Sequence, residues 1–420
     1  MVTVAFAWLV VGLLGSVPFW VVAIIAHDGT EVAKAYASPI GAIFEGFSGF
    51  TSCGLTMSGR PDLLPISLQW WRSLLEWVGG VGVVVLALAL TDTDSDPDEL
   101  FEAEARSTPH QDIRCVAIRI WKVYVAYTAL VVLALWTTGM RPWEAVNHGL
   151  TAISTGGFAI TPSGFGGYGL APLIVTIVAM VLGATSFNLH ATLWLDRDRR
   201  AWTRNTQLRW LGGGLISGAL LLFAVSRAGG DAGSGVHVVF QWVSALCTCG
   251  FSAIDLSRWS AAALLLLMVA MTVGGAAGST AGGLKLSRIA WIAKGIVRRV
   301  VETINGKPSL RPYAEDGNVI DVTRGRRQIR RAGSMLALWI CTLAVGSLLL
   351  MILLPEQNPH HVVFEAVSAT GGVGLSTGVT RASLPPAAKL ILVALMWMGR
   401  LEIVAILALV CQPLHRPLRS

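Results

Sequence analysis

Long apolar runs alternate with short polar segments along most of this chain. A helix that crosses the hydrocarbon core of a bilayer needs about 20 apolar residues. Eight segments meet or approach this length, at roughly 4–26, 68–90, 116–138, 171–194, 208–226, 260–295, 334–354 and 387–411. The sixth is too long for one span and is interrupted by glycines. The pattern predicts an all-α integral membrane protein with eight spans, the first of them a retained span because no cleavage site follows it.

Composition and charge agree with a membrane protein. Hydrophobic residues make up 54% of the chain and charged residues 14%, with a mean hydropathy of +0.62. The net charge of +7 comes largely from basic residues that flank the spans, as at 196–207 and 285–333. Positive loops remain in the cytoplasm, so we expect cytoplasmic N- and C-termini and no nucleic-acid binding. The six cysteines show no disulfide spacing.

Four short segments align with one another without a gap. They are FEGFSGFTSCGL from Phe44, NHGLTAISTGGF from Asn147, FQWVSALCTCGF from Phe240 and FEAVSATGGVGL from Phe364. A Ser or Thr follows the first residue by four places, and a Gly by ten: Ser48, Thr151, Ser244 and Ser368, then Gly54, Gly157, Gly250 and Gly374. One such glycine alone would indicate a turn or close helix packing. Four in register indicate one shared function.

Each repeated segment is too short to cross a bilayer. A helix of about 12 residues is about 18 Å long and reaches only mid-membrane. Pro39, Pro142 and Pro359 mark three helix starts, whereas the third segment, from near Val236, lacks a proline. A proline that merely ends a loop is the alternative for any single copy. The pattern predicts four re-entrant loops.

Together these features predict four tandem units of span, pore helix, filter loop and span around a central pore. We place the units at 1–95, 96–200, 201–300 and 301–420, with a broken second helix in the third. Four helix C-termini pointing at one axis would surround it with carbonyl oxygens and negative dipole ends, which attract a cation.

Three further stretches carry a family resemblance over nearly the whole chain. WRSLLEWVGGVGVVVLALAL at 71–90, GGAAGSTAGGLKLSRI at 274–289 and MGRLEIVAILAL at 398–409 resemble second helices in the membrane subunit of Trk/Ktr/HKT-type potassium transporters. The resemblance implies that K+ binds filter carbonyls of these residues: Thr51, Ser52, Cys53, Gly54, Ser154, Thr155, Gly156, Gly157, Cys247, Thr248, Cys249, Gly250, Gly371, Gly372, Val373 and Gly374. In unit four the additional glycines at 371 and 372 leave the register open.

The glycine-rich stretch from Gly274 to Lys285 breaks the sixth segment. Glycine costs roughly 1 kcal/mol per residue in a helix, which favours an unwound loop, although close packing of small residues is the alternative. The resemblance implies a movable gate made of this loop and a pore arginine: Gly274, Gly275, Gly278, Ser279, Thr280, Gly282, Gly283, Lys285 and Arg400. The alternative for Arg400 is snorkelling or an interhelical salt bridge, and the alternative for Lys285 is an ordinary flanking charge.

Other polar residues in the spans have weaker claims. Glu76 and His190 either face the pore or satisfy buried contacts. Cys247 and Cys249 supply only half of a tetrahedral metal site, so we expect their side chains to face the surrounding protein.

The resemblance implies channel-like potassium uptake across a bacterial-type inner membrane, driven by the membrane potential, with no enzymatic activity. A potassium/sodium symporter or a poorly selective monovalent-cation transporter of the same family is the alternative. It also implies a homodimer, surrounding lipid, no covalently bound cofactor, and nucleotide acting only through cytosolic RCK-type regulatory subunits docked against the basic loop 285–333. The acidic run 91–105 is either a further contact for them or a solvated tail of the first loop. A secondary transporter of another fold would show two long repeats, and an intramembrane enzyme would need convergent acidic or histidine side chains.

Overall fold

The computed structural model describes residues 2–91, 113–231, 233–309, 311–401, 403–404 and 406–407. The acidic run, most of which lies at 92–105, and the tail 408–420 lie outside the described residues. The described helices are α1 Val2–Ile25, α2 Glu31–Tyr36, α3 Pro39–Phe50, α4 Ile66–Thr91, α5 Ile113–Thr137, α6 Pro142–Ile153, α7 Leu170–Ala184, α8 Phe187–Trp194, α9 Arg199–Arg204, α10 Thr206–Gly229, α11 Gly235–Leu246, α12 Ala261–Val273, α13 Leu286–Asn305, α14 Val322–Leu353, α15 Pro359–Gly371 and α16 Pro386–Leu401.

Helices dominate the described chain, and several are long and apolar enough to cross a membrane. Within the described residues four helices pass this test alone, over Ala5–Ile25, Cys115–Thr137, Thr206–Gly229 and Val322–Leu353. Much of their surface is apolar and exposed, as at Leu14, Leu130, Leu220 and Ile352. Side chains of this kind need lipid around them, so the chain spans a membrane.

The helices follow one order four times: a long helix, a short helix, a loop and a second helix. The short helices are α3, α6, α11 and α15, and they have 12, 12, 12 and 13 residues. Three begin at the predicted prolines, which confirms that signal, and the third begins at Gly235 after Ser234. We call the four sets repeats one to four.

Two of the second helices are broken. In repeat three, α12 ends at Val273 and α13 starts at Leu286, so the glycine-rich stretch is a loop, as predicted. In repeat two, the predicted continuous segment 171–194 is divided into α7 and α8, which meet at 99°. Thr185 and Ser186 between them have extended backbones. Hydrogen bonds from the glycine-rich loop fill this break.

A small hairpin follows α13. β1 (Tyr313–Glu315) and β2 (Asn318–Ile320) pair antiparallel, with Tyr313 opposite Ile320. The Tyr313 ring is buried against Trp291 of α13 and Gly325 of α14. The hairpin thereby joins the last helix of repeat three to the first helix of repeat four.

Candidate functional site

The C-terminal turns of the four short helices share one hydrogen-bond pattern. In each, the carbonyl of the repeated Ser or Thr accepts the backbone N–H of the residue five places later, at 2.9 Å in all four. The four pairs are Ser48 with Cys53, Thr151 with Gly156, Ser244 with Cys249 and Ser368 with Val373. Four unlike sequences therefore end their helices in the same way.

The loop that follows has two left-handed positions in every repeat. The first is Ser52, Thr155, Thr248 or Gly372, with φ of 51°, 50°, 51° and 59°. The second is Gly54, Gly157, Gly250 or Gly374, with φ of 87°, 84°, 86° and 94°. The register that the sequence leaves open in repeat four is therefore the ungapped one, with Gly371 at the helix end and Gly374 equivalent to Gly54.

The four repeated glycines touch the neighbouring loops in a closed ring. A β-carbon on Gly54 would lie 2.1 Å from the Gly156 carbonyl oxygen, and one on Gly157 would lie 2.0 Å from the Cys249 oxygen. The corresponding distances are 1.9 Å from Gly250 to the Val373 oxygen and 2.1 Å from Gly374 to the Cys53 oxygen. Any side chain at these four positions would collide with the backbone of the next repeat, in the order one, two, three, four, one.

We call the four segments 51–54, 154–157, 247–250 and 371–374 the ring loops. Their side chains are buried in the protein. Cys53, Cys247 and Cys249 are fully buried, the last two within a hydrophobic cluster with Phe240 and Phe251. Among the described residues, no group of three or more His, Cys, Asp or Glu side chains is placed to hold a metal ion. Cys247 and Cys249 thus have the inward packing that we expected of them.

Glycines in the second helices pack closely against the backbone at the start of two ring loops. A β-carbon on Gly79 would lie 2.0 Å from the Phe50 carbonyl oxygen, and one on Gly399 would lie 1.8 Å from the Thr370 oxygen. Phe50 and Thr370 each directly precede a ring loop. This close approach gives a packing reason for the glycines of the WVGG and MGR motifs.

In three repeats, the second residue of the aligned segment accepts a hydrogen bond from the chain that follows the ring loop. Glu45 accepts the N–H of Met57 at 2.9 Å, Gln241 that of Ala253 at 3.4 Å, and Glu365 that of Thr377 at 2.8 Å. Each accepted N–H lies three residues after the ring glycine. The sequence alignment did not identify this anchor, although its polar side chain in an apolar helix is a readable signal.

The glycine-rich loop crosses beneath three of the ring loops. The Gly282 N–H donates to Thr248 Oγ1 at 2.6 Å, and the Gly283 N–H donates to the Gly371 carbonyl at 3.0 Å. Thr280 donates its hydroxyl to the carbonyls of Ile153 and Gly183, both at 3.0 Å. Thr155 Oγ1 lies 3.2 Å from Thr280 Oγ1, so the predicted gate residues of this loop contact ring residues of repeats two, three and four.

The same loop also fills the break between α7 and α8. The Ala276 N–H donates to the Ala184 carbonyl at 2.9 Å, and the Phe187 N–H donates to the Gly278 carbonyl at 2.9 Å. The two interrupted helices satisfy each other's freed backbone groups, as buried irregular backbone requires.

Arg400 joins the loop to repeat one. Its Nη1 donates to the Thr280 carbonyl at 2.8 Å, and its Nη2 lies 3.2 Å from the Gly79 carbonyl and 3.4 Å from Ser52 Oγ. The side chain is only 6% exposed. Neither snorkelling nor a salt bridge within the described residues accounts for this arginine, which is held by backbone and hydroxyl oxygens.

The remaining predicted polar residues divide into two groups. Glu76 lies against the ring, where its carboxylate accepts the Phe158 N–H at 3.1 and 3.2 Å. His190 is hydrogen-bonded to Tyr127 and to the Leu182 carbonyl, and its ring contacts Trp202 at a tilted angle. It therefore packs beside the break between α7 and α8, away from the ring of loops. Lys285 ends the glycine-rich loop with a left-handed backbone, φ 75°, and its Nζ donates to the Ala281 carbonyl.

Comparison with known proteins gives this geometry a family. The TrkH model, described as cation transport protein, matches residues 1–226 and 230–414. A cation transporter of uncharacterised function from Methanocaldococcus jannaschii is 31% identical over all of this chain and 83% of its own length. The Trk system potassium uptake protein TrkH of Halomonas elongata is 31% identical over 96% of this chain and 83% of its own, and that of Escherichia coli K12 is 28% identical over the same shares.

A solved structure has the same fold. The crystal structure of the potassium transporter TrkH from Vibrio parahaemolyticus superposes with a TM-score of 0.84 and 24% identity, covering 98% of this chain and 85% of that one. The resemblance inferred from the second-helix motifs is confirmed. The chain therefore belongs to the TrkH family of cation transport proteins.

Proposed function

We propose that this protein is a potassium uptake transporter whose ion path runs through the ring of four loops. The observation that carries the proposal is the closed ring itself. Each repeated glycine lies so close to the next repeat that a β-carbon on it would be 1.9–2.1 Å from a carbonyl oxygen there. Two relatives that are 31% and 28% identical to this chain are named as potassium uptake proteins.

Backbone carbonyls are the groups that would bind the ion. Ser52 and Gly54 are left-handed while Cys53 between them is not, and the other repeats follow the same order. Alternation of this kind would turn successive carbonyls toward the same side of the loop, where they would replace the hydration shell of an ion. Each short helix ends at the ring and would direct its negative dipole end to the ion. The filter residues are therefore the four runs 51–54, 154–157, 247–250 and 371–374.

The short helices fit a re-entrant path. With 12 or 13 residues they are about 18–20 Å long, less than the hydrocarbon thickness. Their buried irregular loops are of the kind that membranes accept when they line a polar path. The proposed chain has eight spans and four re-entrant loops, in units 1–95, 96–200, 201–300 and 301–420. Both termini would lie on the cytoplasmic side of an inner membrane.

The glycine-rich loop and Arg400 would gate the path. The loop contacts the undersides of Thr248 and Gly371, and the arginine places a buried positive charge beside it. A cation below the ring must pass both. The membrane potential supplies about 2.3 kcal/mol per charge per 100 mV for uptake.

Regulation and assembly remain part of the proposal. We expect a homodimer within lipid, and activation by cytosolic RCK-type subunits that bind nucleotide, without a cofactor on this chain. The basic residues near the hairpin, such as Arg324 and Arg327, would supply part of the docking surface.

Uptake of Rb+ and Na+ by cells that lack their own potassium transport tests the proposal. The key variant is Gly54→Ser, because a side chain there must displace the Gly156 carbonyl. Its control is Gly29→Ser: Gly29 has the same left-handed φ, 86°, but nothing lies within 4 Å of its β-carbon position. We expect Gly54→Ser to lower the preference for Rb+ over Na+ and Gly29→Ser to leave it unchanged.

Two results would contradict the proposal. Absence of alkali-cation uptake by the wild type, with and without a cytosolic partner, would remove the transport function. Equal Rb+ over Na+ preference in Gly54→Ser and the wild type would remove the ring from the ion path. Comparable uptake of both ions by the wild type would favour the poorly selective transporter, and Rb+ uptake that depends on Na+ would favour the symporter.

A further inference from the structure

The ring loop of repeat two differs from the other three in which side chain accepts hydrogen bonds from the backbone that follows it. In repeats one, three and four, Glu45, Gln241 and Glu365 accept the backbone N–H three residues past the ring glycine. The equivalent residue of repeat two is His148, fully buried, and neither of its ring nitrogens has a hydrogen-bond partner within the described residues. Its ring packs instead against Phe165, Tyr168 and Phe251.

The second helix of repeat one supplies the missing support. Glu76 of α4 accepts the Phe158 N–H, and Phe158 directly follows the ring glycine Gly157. The Glu76 carboxyl carbon would lie 2.3 Å from a β-carbon on Gly156, so the carboxylate is packed directly on the loop backbone. The described structure leaves this carboxylate fully buried.

Arg72, one turn earlier on α4, holds the next residue. Its Nη1 donates to the Ala159 carbonyl at 3.1 Å, and its guanidinium carbon lies 4.0 Å from the centre of the Phe158 ring. The same guanidinium donates from Nε to Glu45 at 2.8 Å and from Nη2 to Thr56 Oγ1 at 3.1 Å. Arg72 therefore connects Glu45 of repeat one to the segment that follows the ring loop of repeat two. The planar guanidinium donates in several directions at once, which the ammonium group of a lysine would do less well.

We propose that Arg72 and Glu76 are positioning residues. They fix the loop segment 156–159 of repeat two and thereby set the ion selectivity of the ring. This inference rests on the proposed function. A site built from backbone atoms has to be held to within about 0.5 Å, and its supporting side chains do this only if their own positions are locked. Burial of both side chains and their several shared hydrogen bonds provide that lock.

Glu76 allows position to be separated from charge. Glu76→Gln removes the charge but keeps an acceptor oxygen at the same reach. Glu76→Asp keeps the charge but withdraws the acceptor by one methylene. A positioning role predicts that Glu76→Asp loses about tenfold in Rb+ over Na+ preference, because the Phe158 N–H is left buried without a partner. The same role predicts that Glu76→Gln stays close to the wild type.

Arg72→Lys and His190→Gln complete the experiment. Arg72→Lys keeps a cation for Glu45 but loses the second arm to Ala159, and we expect it to lose selectivity as Glu76→Asp does. His190 is equally buried and hydrogen-bonded, but to Tyr127 and Leu182 and away from the ring, so His190→Gln should keep the wild-type preference even if its thermal stability falls. Initial Rb+ and Na+ uptake rates are measured in cells lacking potassium transport. Membrane abundance and detergent size-exclusion profiles identify any variant that misfolds.

The outcomes separate the inference from the proposed function. A selective wild type with Glu76→Asp and Arg72→Lys equally selective overturns the positioning role and leaves the transport function intact. Loss of selectivity in Glu76→Gln as large as in Glu76→Asp assigns the effect to charge and also overturns it. A wild type that takes up neither ion removes the transport function and this inference with it.

Discussion

Arg400 donates from Nη1 to the carbonyl of Thr280 at 2.8 Å, across 120 residues of sequence. The bond joins the second helix of repeat four to the glycine-rich loop of repeat three. Because Nη2 of the same guanidinium reaches the Gly79 carbonyl, the loop is also tied to repeat one. This side chain therefore helps to hold the loop across the underside of the ring, together with the backbone bonds of Gly282 and Gly283.

Replacement of Arg400 by alanine should raise cation flux. A hydrogen bond from a charged donor contributes roughly 1.5–3 kcal/mol, so its loss should increase the open fraction about tenfold or more. Removal of the positive charge lowers the barrier to a cation in the same direction. The measurement is the initial Rb+ uptake rate per unit of protein in the membrane.

Lys389→Ala is the matched control for Arg400. Lys389 lies on the same helix and is buried, but its Nζ donates to the Ala382 carbonyl at 2.7 Å, within its own repeat. We expect Lys389→Ala to leave the flux unchanged. Lower flux in Arg400→Ala at normal abundance would argue that the arginine supports the open path and would contradict the gate.

Thr280→Val tests a second side-chain attachment of the loop. The Thr280 hydroxyl contacts the Ile153 and Gly183 carbonyls and lies 3.2 Å from Thr155 Oγ1. Valine has nearly the same shape but cannot form these bonds, each of which contributes about 0.5–1.5 kcal/mol. We expect a several-fold rise in Rb+ flux.

Two further threonine variants make this result specific. Thr280→Ser restores the hydroxyl and should restore the wild-type flux. Thr272→Val removes a hydroxyl that donates only to the Met268 carbonyl of its own helix, so its flux should not change. An unchanged flux in Thr280→Val would show that the loop is not held shut by this hydroxyl.

Two glycines of α10 give opposite predictions for stability. A β-carbon on Gly218 would lie 1.8 Å from Trp242 Cζ2, whereas nothing lies within 4 Å of one on Gly213. Gly218→Ala should destabilise the fold by about 1–3 kcal/mol through overpacking. Gly213→Ala should stabilise it by about 0.5–1 kcal/mol because alanine has the higher helix propensity. Thermal unfolding of the detergent-solubilised chain measures both, and shifts of the same sign would contradict the packing of α10 on α11.

The repeated features of this fold could be read from the sequence because they are local. Pro39, Pro142 and Pro359 each begin a short helix, as a fixed φ and a missing N–H predict. The dense glycines from Gly274 onward broke a helix by their own propensity. The ungapped alignment of four segments also gave the equivalence of Gly54 and Gly374, although local sequence alone left that register open.

The missed features depend on contacts between distant repeats. Residues 171–194 are long and apolar enough on average for one span, but Thr185, Ser186 and Asn188 form a polar cluster at the 99° break that the length criterion passed over. Hydrogen bonds with residues 276–280, which lie in another repeat, stabilise this break. The partners of Arg400 lie in other repeats, and so does the Ala159 carbonyl that Arg72 contacts. A charge in a span indicates that a partner exists but does not identify it.

The register of repeat four supplies a last prediction. Gly372 has φ 59°, and the equivalent residues Ser52, Thr155 and Thr248 have nearly the same φ with side chains. A β-carbon on Gly372 has only the Thr51 carbonyl oxygen near it, at 4.0 Å, whereas one on Gly374 would lie 2.1 Å from the Cys53 oxygen. Gly372→Ser should therefore keep the wild-type preference for Rb+ over Na+, and Gly374→Ser should lose it.

Gly378→Ser controls for backbone strain in the same repeat. Its φ of 87° is close to that of Gly374, but its β-carbon position is open. A left-handed non-glycine residue costs on the order of 1–3 kcal/mol wherever it stands, so both variants carry this cost and only Gly374→Ser also meets the ring. Loss of preference in Gly372→Ser with retention in Gly374→Ser would place the filter glycine of repeat four two residues earlier, and the ring of carbonyl contacts would then not be the selective element.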